Sequence, residues 1–370
     1  YGWHVAVDGD YVDYDGADLY ANRNDNDADF AEKAGLDELT GNGVITEVFV
    51  DGTADEESVH VAVINQYAAE VLKVDEDDKT ITLSDLVDGY IREQRFGFPE
   101  VAYLLLFGHL PDQEQYDMFK RLLHDFTDLP QNFTEDMILK NPSHNVMNKL
   151  GRSVLALYSC DPDPDSLSVK NMMRQSIELI ARFPVIAAYA YVVKRHYFDN
   201  DSLYLHRPEP ELSTAENFLR MIRPDKHFTH EEARLLDLCL VCHAEHGGGN
   251  NSTFTCRSVS STGTDTYSAI AAAVGSLKGP KHGGANIKVM EMMDDIRAHV
   301  SDVTDEDEMR AYIGKIVDKE AFDHKGLVYG MGHAVYSLSD PRAVVFKSFV
   351  QQLAMAKGRK TDFDFYNTVE

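Results

Sequence analysis

Apolar positions recur with a helical period through most of this chain, and the residues between the apolar runs punctuate it as helix ends. FPEVAYLLLF, residues 98–107, is apolar almost throughout and is followed by Gly108, which predicts a buried helix closed by glycine. Pro111-Asp112 predicts the next start, with Met118, Leu122 and Leu123 at helical spacing. Two more helices are predicted over 145–159 and 167–195. The second is apolar on all sides, which assigns it to a core, with Pro184 as the expected kink.

Ser213 with Glu216, and Thr229 with Glu232, have the spacing of a capping box, in which hydroxyl and carboxylate each satisfy an orphan backbone amide. The helix opened by Thr229 runs through ARLLDLCLVCHAEH into Gly247-Gly248-Gly249, which places His243 and His246 in its last turn. Thr264-Asp265 caps YSAIAAAVGSLK, and Gly279-Pro280 ends it. IKVMEMMDDIRAHV follows Gly284, and Thr304 with Asp307 opens EDEMRAYIGKIVDK. Asp340 as N-cap and Pro341 as first helical residue begin RAVVFKSFVQQLAMAKG, with Gly358 at its end.

Residues 1–83 read differently. DGDYVDYDGADLYANRNDNDADF has no helical period and predicts an irregular arm. VITEVFVDGTADEESVHVAVINQY, with its Asp51-Gly52 turn signal, predicts β structure, and TITLSDL another short strand. The predicted architecture is mainly α, with minor β in the N-terminal region.

With 370 residues, of which 44% are hydrophobic, the chain can bury a large core and is expected to form two domains. We see no unbroken apolar run near the roughly 18 residues of a membrane span and no basic-then-apolar leader, so the expected compartment is cytoplasmic. A net charge of −27 argues against nucleic-acid binding, which requires an extended basic surface. Against that background Arg342, Lys281, Lys288 and the histidines are the candidates for holding an acidic metabolite. Cys239 and Cys242 share CxxC spacing, but there is no second pair and both lie in a helical pattern with apolar neighbours.

Two histidines stand in glycine-rich turns: His282 in GPKHGGAN and His333 in GMGHAVYSLSDPR. Glycine on both sides of an imidazole is unfavourable inside a helix, by about 1 kcal/mol per glycine, and useful where backbone approaches a ligand. Two such turns suggest a proton-handling site assembled from loops. Arg342 stands at the start of the helix after His333, where an arginine fork matches a carboxylate. His243 and His246 have a spacing that would let them share a metal, but it is not HExxH and no third ligand accompanies them.

HAEHGGGNNS, GPKHGGAN and GMGHAVYSLSDPRA resemble, in order and at suitable separations, the three signature segments of the citrate synthase family, closest to its bacterial, anaerobe-type branch. The likeness extends through FGFPEVAYLLLFGHLP, RQSIELIARFPVIAAYAY and SSTGTDTYSAIAAAVGSLKGPKHGGAN, from about residue 84 to the end. It implies a helical homodimer, each subunit having a large domain (84–283) and a small one (284–370), that joins acetyl-CoA to oxaloacetate as an acyltransferase with no cofactor and no metal. By resemblance, His282 corresponds to the histidine that hydrogen-bonds the thioester carbonyl, and His333 to the one that polarises the oxaloacetate ketone. His246, Arg342 and Asn250 fall in the oxaloacetate-binding segments, and Val328, Gly330 and Met331 in the loop that receives the CoA adenine.

The family's catalytic base is an aspartate, and Asp364 in TDFDFYNT does not match it: it follows Arg342 too closely, and the glycine after the family's DFYS is missing. The base is therefore expected beyond Glu370. Ser337 departs from the basic residue that many members use to meet CoA phosphate. Within the family 2-methylcitrate synthase, which takes propionyl-CoA, is the alternative. Outside it stands a shortened relative acting as an assembly or binding protein.

Overall fold

Among the described residues, fourteen lie in two antiparallel strand pairs, and everything else with regular structure is helical. In this computed structural model the described residues are the strand segments 3–7, 10–14, 60–61 and 81–82, residues 89, 90 and 93, and the stretches 95–245, 250–331 and 341–370. Strand β1 (Trp3–Val7) pairs with β2 (Asp10–Tyr14), Val5 opposite Val12, and β3 (His60–Val61) pairs with β4 (Ile81–Thr82). The β2 strand corrects the expectation of an irregular arm there: Asp8-Gly9, a hairpin signal, separates two five-residue segments that pair along their length.

The helices follow the predicted punctuation closely. They are α1 (Phe98–Phe107), α2 (Gln113–Asp125), α3 (Val146–Leu157), α4 (Val169–Phe198), α5 (Thr214–Ile222), α6 (His230–His243), α7 (Asn251–Ser260), α8 (Thr266–Leu277), α9 (Ala285–His299), α10 (Glu306–Val317), α11 (Pro341–Ala356) and α12 (Lys360–Val369). Gly108 closes α1 in the left-handed region, at φ 76°. Both capping boxes form, Ser213 with Glu216 and Thr229 with Glu232. Asp265 caps α8 through the Ser268 amide at 2.8 Å.

Several expectations need correction. The α10 cap is Asp305, whose carboxylate accepts from the Asp307 and Glu308 amides, so Thr304 lies outside the helix. Helix α4 runs unbroken through Pro184. It is also the one described helix long and apolar enough to cross a membrane, against the expectation that no segment approaches this. Glu178 and Arg182 stand within it and pair with each other, and 61% of its apolar window is buried within the protein. A π-helical turn at Thr134–Leu139 and helix α7 are not in the sequence reading.

The chain divides into two compact units, residues 1–122 with 237–245, and residues 123–236 with 246–370. In the first unit α1 has no local side-chain cap. Buried Asp237 accepts the Gly97 amide at 2.6 Å and the Phe98 amide at 3.3 Å instead, so a residue 140 positions away closes that helix end.

The second unit contains two hydrophobic clusters, one on each side of the expected boundary at 283/284. The first gathers Ile138 from the π-helical turn and Val154, Leu157, Ile186, Val193, Met221, Tyr267 and Val274 from α3, α4, α5 and α8. The second gathers Met292, Met293 and Ile296 of α9, Met309 and Ile316 of α10, and Phe365 and Val369 of α12. Each fully buried aliphatic side chain contributes roughly 1.5–3 kcal/mol, so these clusters are what hold the helices together.

Two buried polar groups punctuate the first cluster. The Lys149 ammonium, on a residue only 1% exposed, donates to the carbonyls of Met137 and Asn141 at the end of the π-helical turn. Burial pulls its pKa down from 10.5 to about 8, with the Arg152 charge adding to the effect. Asp161 accepts the Tyr267 hydroxyl at 2.6 Å, Arg174 at 2.7 and 2.8 Å, Gln175 at 3.0 Å and the Asp163 amide at 2.9 Å. Thr266 adds a 2.6 Å bond to Gln175, so the start of α8 is fastened to α4 by side chains from three segments.

Candidate active site

Helix α8 is the element that presents His282. Its carboxyl end turns through Gly279, Pro280 and Lys281, and the turn is closed by His282 N–H to Gly279 O at 2.9 Å and Gly284 N–H to Leu277 O at 3.1 Å. Of its two trailing glycines, Gly284 is the one where backbone bars a side chain. A Cβ on Gly284 would sit 2.4 Å from Lys278 O and 2.7 Å from Gly279 O, and one on Gly283 would meet Leu277 at 2.6 Å. The glycines around His282 therefore serve close backbone packing, and helix α9 begins immediately after them.

The half-buried His282 ring is held from a second element. Ser252 Oγ lies 2.9 Å from His282 Nε2. Ser252 is in the first turn of α7, and Asn250 caps that helix, its Oδ1 accepting from the Ser252 amide at 2.8 Å and the Thr253 amide at 3.3 Å. Helix α7 packs along α8, so the sequence segment after the glycine run and the His282 turn meet in space. The sequence reading missed Ser252. Its signal is an asparagine two residues ahead of a serine, which predicts a helix start and so a fixed direction for that serine.

The other expected site residues are placed as follows. His246 and His333 lie outside the described residues, as do Ser337 and Asp340. Arg342 is the second residue of α11 and is half-buried. Val328 packs against the second hydrophobic cluster, and Met331 donates its amide to Val328 O at 3.3 Å. Gly330 has φ 85°, and a Cβ there would come within 3.1 Å of Val289 on α9. Asn250 caps α7, its side-chain oxygen accepting two amides.

His243 ends α6 with Nδ1 at 2.7 Å from Cys239 O. Among the described residues no three His, Cys, Asp or Glu side chains are grouped to hold a metal. Burial raises the Cys239 thiol pKa, which disfavours the thiolate. Asp364 ion-pairs with Lys360 within α12, a helix fastened to α9 by Arg297 to Asp362 at 2.8 Å.

The model of the citrate synthase C-terminal domain matches residues 68–370. The chain belongs to the citrate synthase family. Among similar citrate synthases, that of Deinococcus radiodurans is 33% identical over 276 residues, covering 74% of this chain and 67% of the relative. The citrate synthase of Acidithiobacillus ferridurans is 34% identical, with 70% and 63% covered. A 2-methylcitrate synthase of Shewanella oneidensis is 31% identical, with 70% and 64% covered. This citrate synthase family chain thus spans roughly three-fifths to two-thirds of the length of such relatives. In fold it is similar to the citrate synthase structure from Pyrobaculum aerophilum, at a TM-score of 0.62 and 28% identity over 77% of this chain and 68% of that one. It also resembles in fold the Thermoplasma acidophilum enzyme, whose structure holds carboxymethyl coenzyme A and oxaloacetate, at 0.65 and 24% identity over 77% and 69%.

Proposed function

We propose that the protein is an acyltransferase that condenses acetyl-CoA with oxaloacetate. The observation that supports this best is the His282 turn, with its ring supported by Ser252 across two helices. When the Ser252 hydroxyl donates to Nε2, the ring proton resides on Nδ1, and the imidazole presents one N–H donor in a fixed direction.

That donor suits the first chemical step. The thioester methyl is a weak carbon acid, and removing its proton places negative charge on the carbonyl oxygen, which a hydrogen-bond donor stabilises. The enol carbon then attacks the oxaloacetate ketone; the new carbon–carbon bond forms as the ketone oxygen takes up a proton, and water cleaves the thioester of citryl-CoA to release citrate and CoA. His282 is assigned to the thioester oxygen and His333 to the ketone. His246, Arg342 and Asn250 are assigned to oxaloacetate, and the segment of Val328, Gly330 and Met331 to CoA. The assembly that fits this reading is a homodimer.

A second reading, 2-methylcitrate synthesis from propionyl-CoA, is favoured by the relatives of that name at 31% identity. The test is release of free CoA thiol from each acyl-CoA in the presence of oxaloacetate. Acetyl-CoA should have the higher kcat/KM, and His282→Ala should lower it by about three orders of magnitude, the size of effect expected for one preorganised donor. A preference for propionyl-CoA would overturn the substrate assignment, and an unchanged rate in His282→Ala would overturn the mechanism.

A further inference from the structure

Helix α11 carries Arg342 near its amino end, and the residue just beyond its carboxyl end, Lys357, pairs with a carboxylate in the first turn of α6. Lys357 Nζ lies 2.9 Å from Glu232 Oε1 on α6. Glu232 is itself rigidly held. Its other oxygen accepts the Thr229 amide at 2.8 Å and Arg223 Nη1 at 2.8 Å, and Arg223 Nη2 bonds Oε1 at 3.0 Å. Arg223 in turn donates to His227 O at 2.9 Å, closing the cap of α6 around the carboxylate. The side chain of Glu232 is 14% exposed, that of Arg223 31% and that of Lys357 37%.

The charges facing this carboxylate all favour its ionised form. The Arg223 hydrogen bond has the largest effect and outweighs burial; the Thr229 amide and Lys357 act in the same direction, and its pKa falls from 4.5 to about 2. At physiological pH the site is a fixed anion gripping one mobile cation. The arrangement differs from an ordinary surface pair because the anion is immobilised before Lys357 arrives, so only one side chain loses rotamer freedom on pairing.

We propose that Glu232 is a positioning residue that clasps the carboxyl end of α11 through Lys357 and thereby sets the direction in which the amino end of α11 presents Arg342. The clasp joins the first turn of α6 to the end of a helix that packs on α12, whose Phe365 and Val369 belong to the second cluster. A helix is a stiff lever, so fixing one end limits the excursion of the other. The consequence for function rests on the assignment of Arg342 to oxaloacetate: releasing the clasp weakens oxaloacetate binding and leaves acyl-CoA binding nearly unaffected.

The test compares Lys357→Met and Lys357→Arg with the wild type in two measurements. In the first, KM for oxaloacetate should rise about three- to fivefold in Lys357→Met, the range of a partly exposed pair, with KM for acetyl-CoA within about twofold. Lys357→Arg should restore the wild-type value, and the difference should vanish near 1 M salt, where screening reaches about 3 Å. In the second, amide exchange across 341–356 should quicken by a similar factor in Lys357→Met and return in Lys357→Arg. If the wild type condenses nothing, the functional reading fails and the exchange experiment alone decides the clasp. Unchanged exchange, or a KM difference that survives high salt, overturns the proposal.

Discussion

Replacing Asp161 with asparagine removes the anion at the centre of the network that fastens α8 to α4, and the structure sets the size of the effect. The largest influence on that carboxyl is burial, which opposes ionisation, yet hydrogen bonds from Tyr267, the Asp163 amide, Gln175 and Arg174 outweigh it and lower its pKa from 3.8 to about 2. Its side chain is 1% exposed, so solvent screens little of this. A depressed carboxylate pKa means that the unfolded chain takes up its proton first as pH falls. The stabilisation is therefore complete above pH 3.8 and is lost between there and about pH 2. A shift of nearly two units corresponds to about 2.5 kcal/mol. Asparagine keeps one acceptor but turns an amide donor toward Arg174, so Asp161→Asn should destabilise by about 2–3 kcal/mol at pH 7. Urea unfolding followed by circular dichroism measures this, repeated at intervals down to pH 3. The gap between the two proteins should hold steady from pH 7 to 5 and be about 1 kcal/mol smaller by pH 3. A gap under about 0.5 kcal/mol at neutral pH, or one indifferent to pH below 4, would refute the account.

Lys149 gives a pH dependence of the same sign in an alkaline window: its folded pKa is depressed, so the unfolded chain binds the extra proton between about pH 8 and 10.5, and stability should rise with pH through that window in the wild type but not in Lys149→Met. Asn250→Ala should cost about 1 kcal/mol by loss of the α7 cap, whereas Asn250→Ser keeps the cap; a raised oxaloacetate KM in the serine variant would assign the amide to the substrate, and an unchanged one would confine it to capping. With a net charge of −27 the folded chain repels itself, so its thermal midpoint should climb as sodium chloride is raised from about 0.05 to 0.5 M, and a flat or falling midpoint would show that the acids are locally compensated.

The helical framework was legible because its stops are chemical. Gly108, Ser213, Thr229 and Asp265 act through their own side chain or its absence, within four residues of the place they mark. What the sequence concealed involves partners far along the chain. Asp237 capping α1, Lys149 among backbone carbonyls and Asp161 binding α4 to α8 read in isolation as ordinary helix or loop residues. Helix α7 was missed because NSTFTCRSVS has no buried face to give it a period; it owes its start to the Asn250 cap and its place to packing on α8. The same holds at the candidate site. His282 announced itself through its glycines, while Ser252 depends on a direction that only the folded helix defines.

The crowding inside the His282 turn constrains how this site can change over evolutionary time. With carbonyl oxygens 2.4–2.7 Å from where a Cβ on Gly284 would stand, no replacement at that position is tolerated without moving the end of α8. Such a loop has no gradual route to another chemistry. Lineages carrying it can change the surroundings of the turn, but the turn itself passes down whole or is discarded whole.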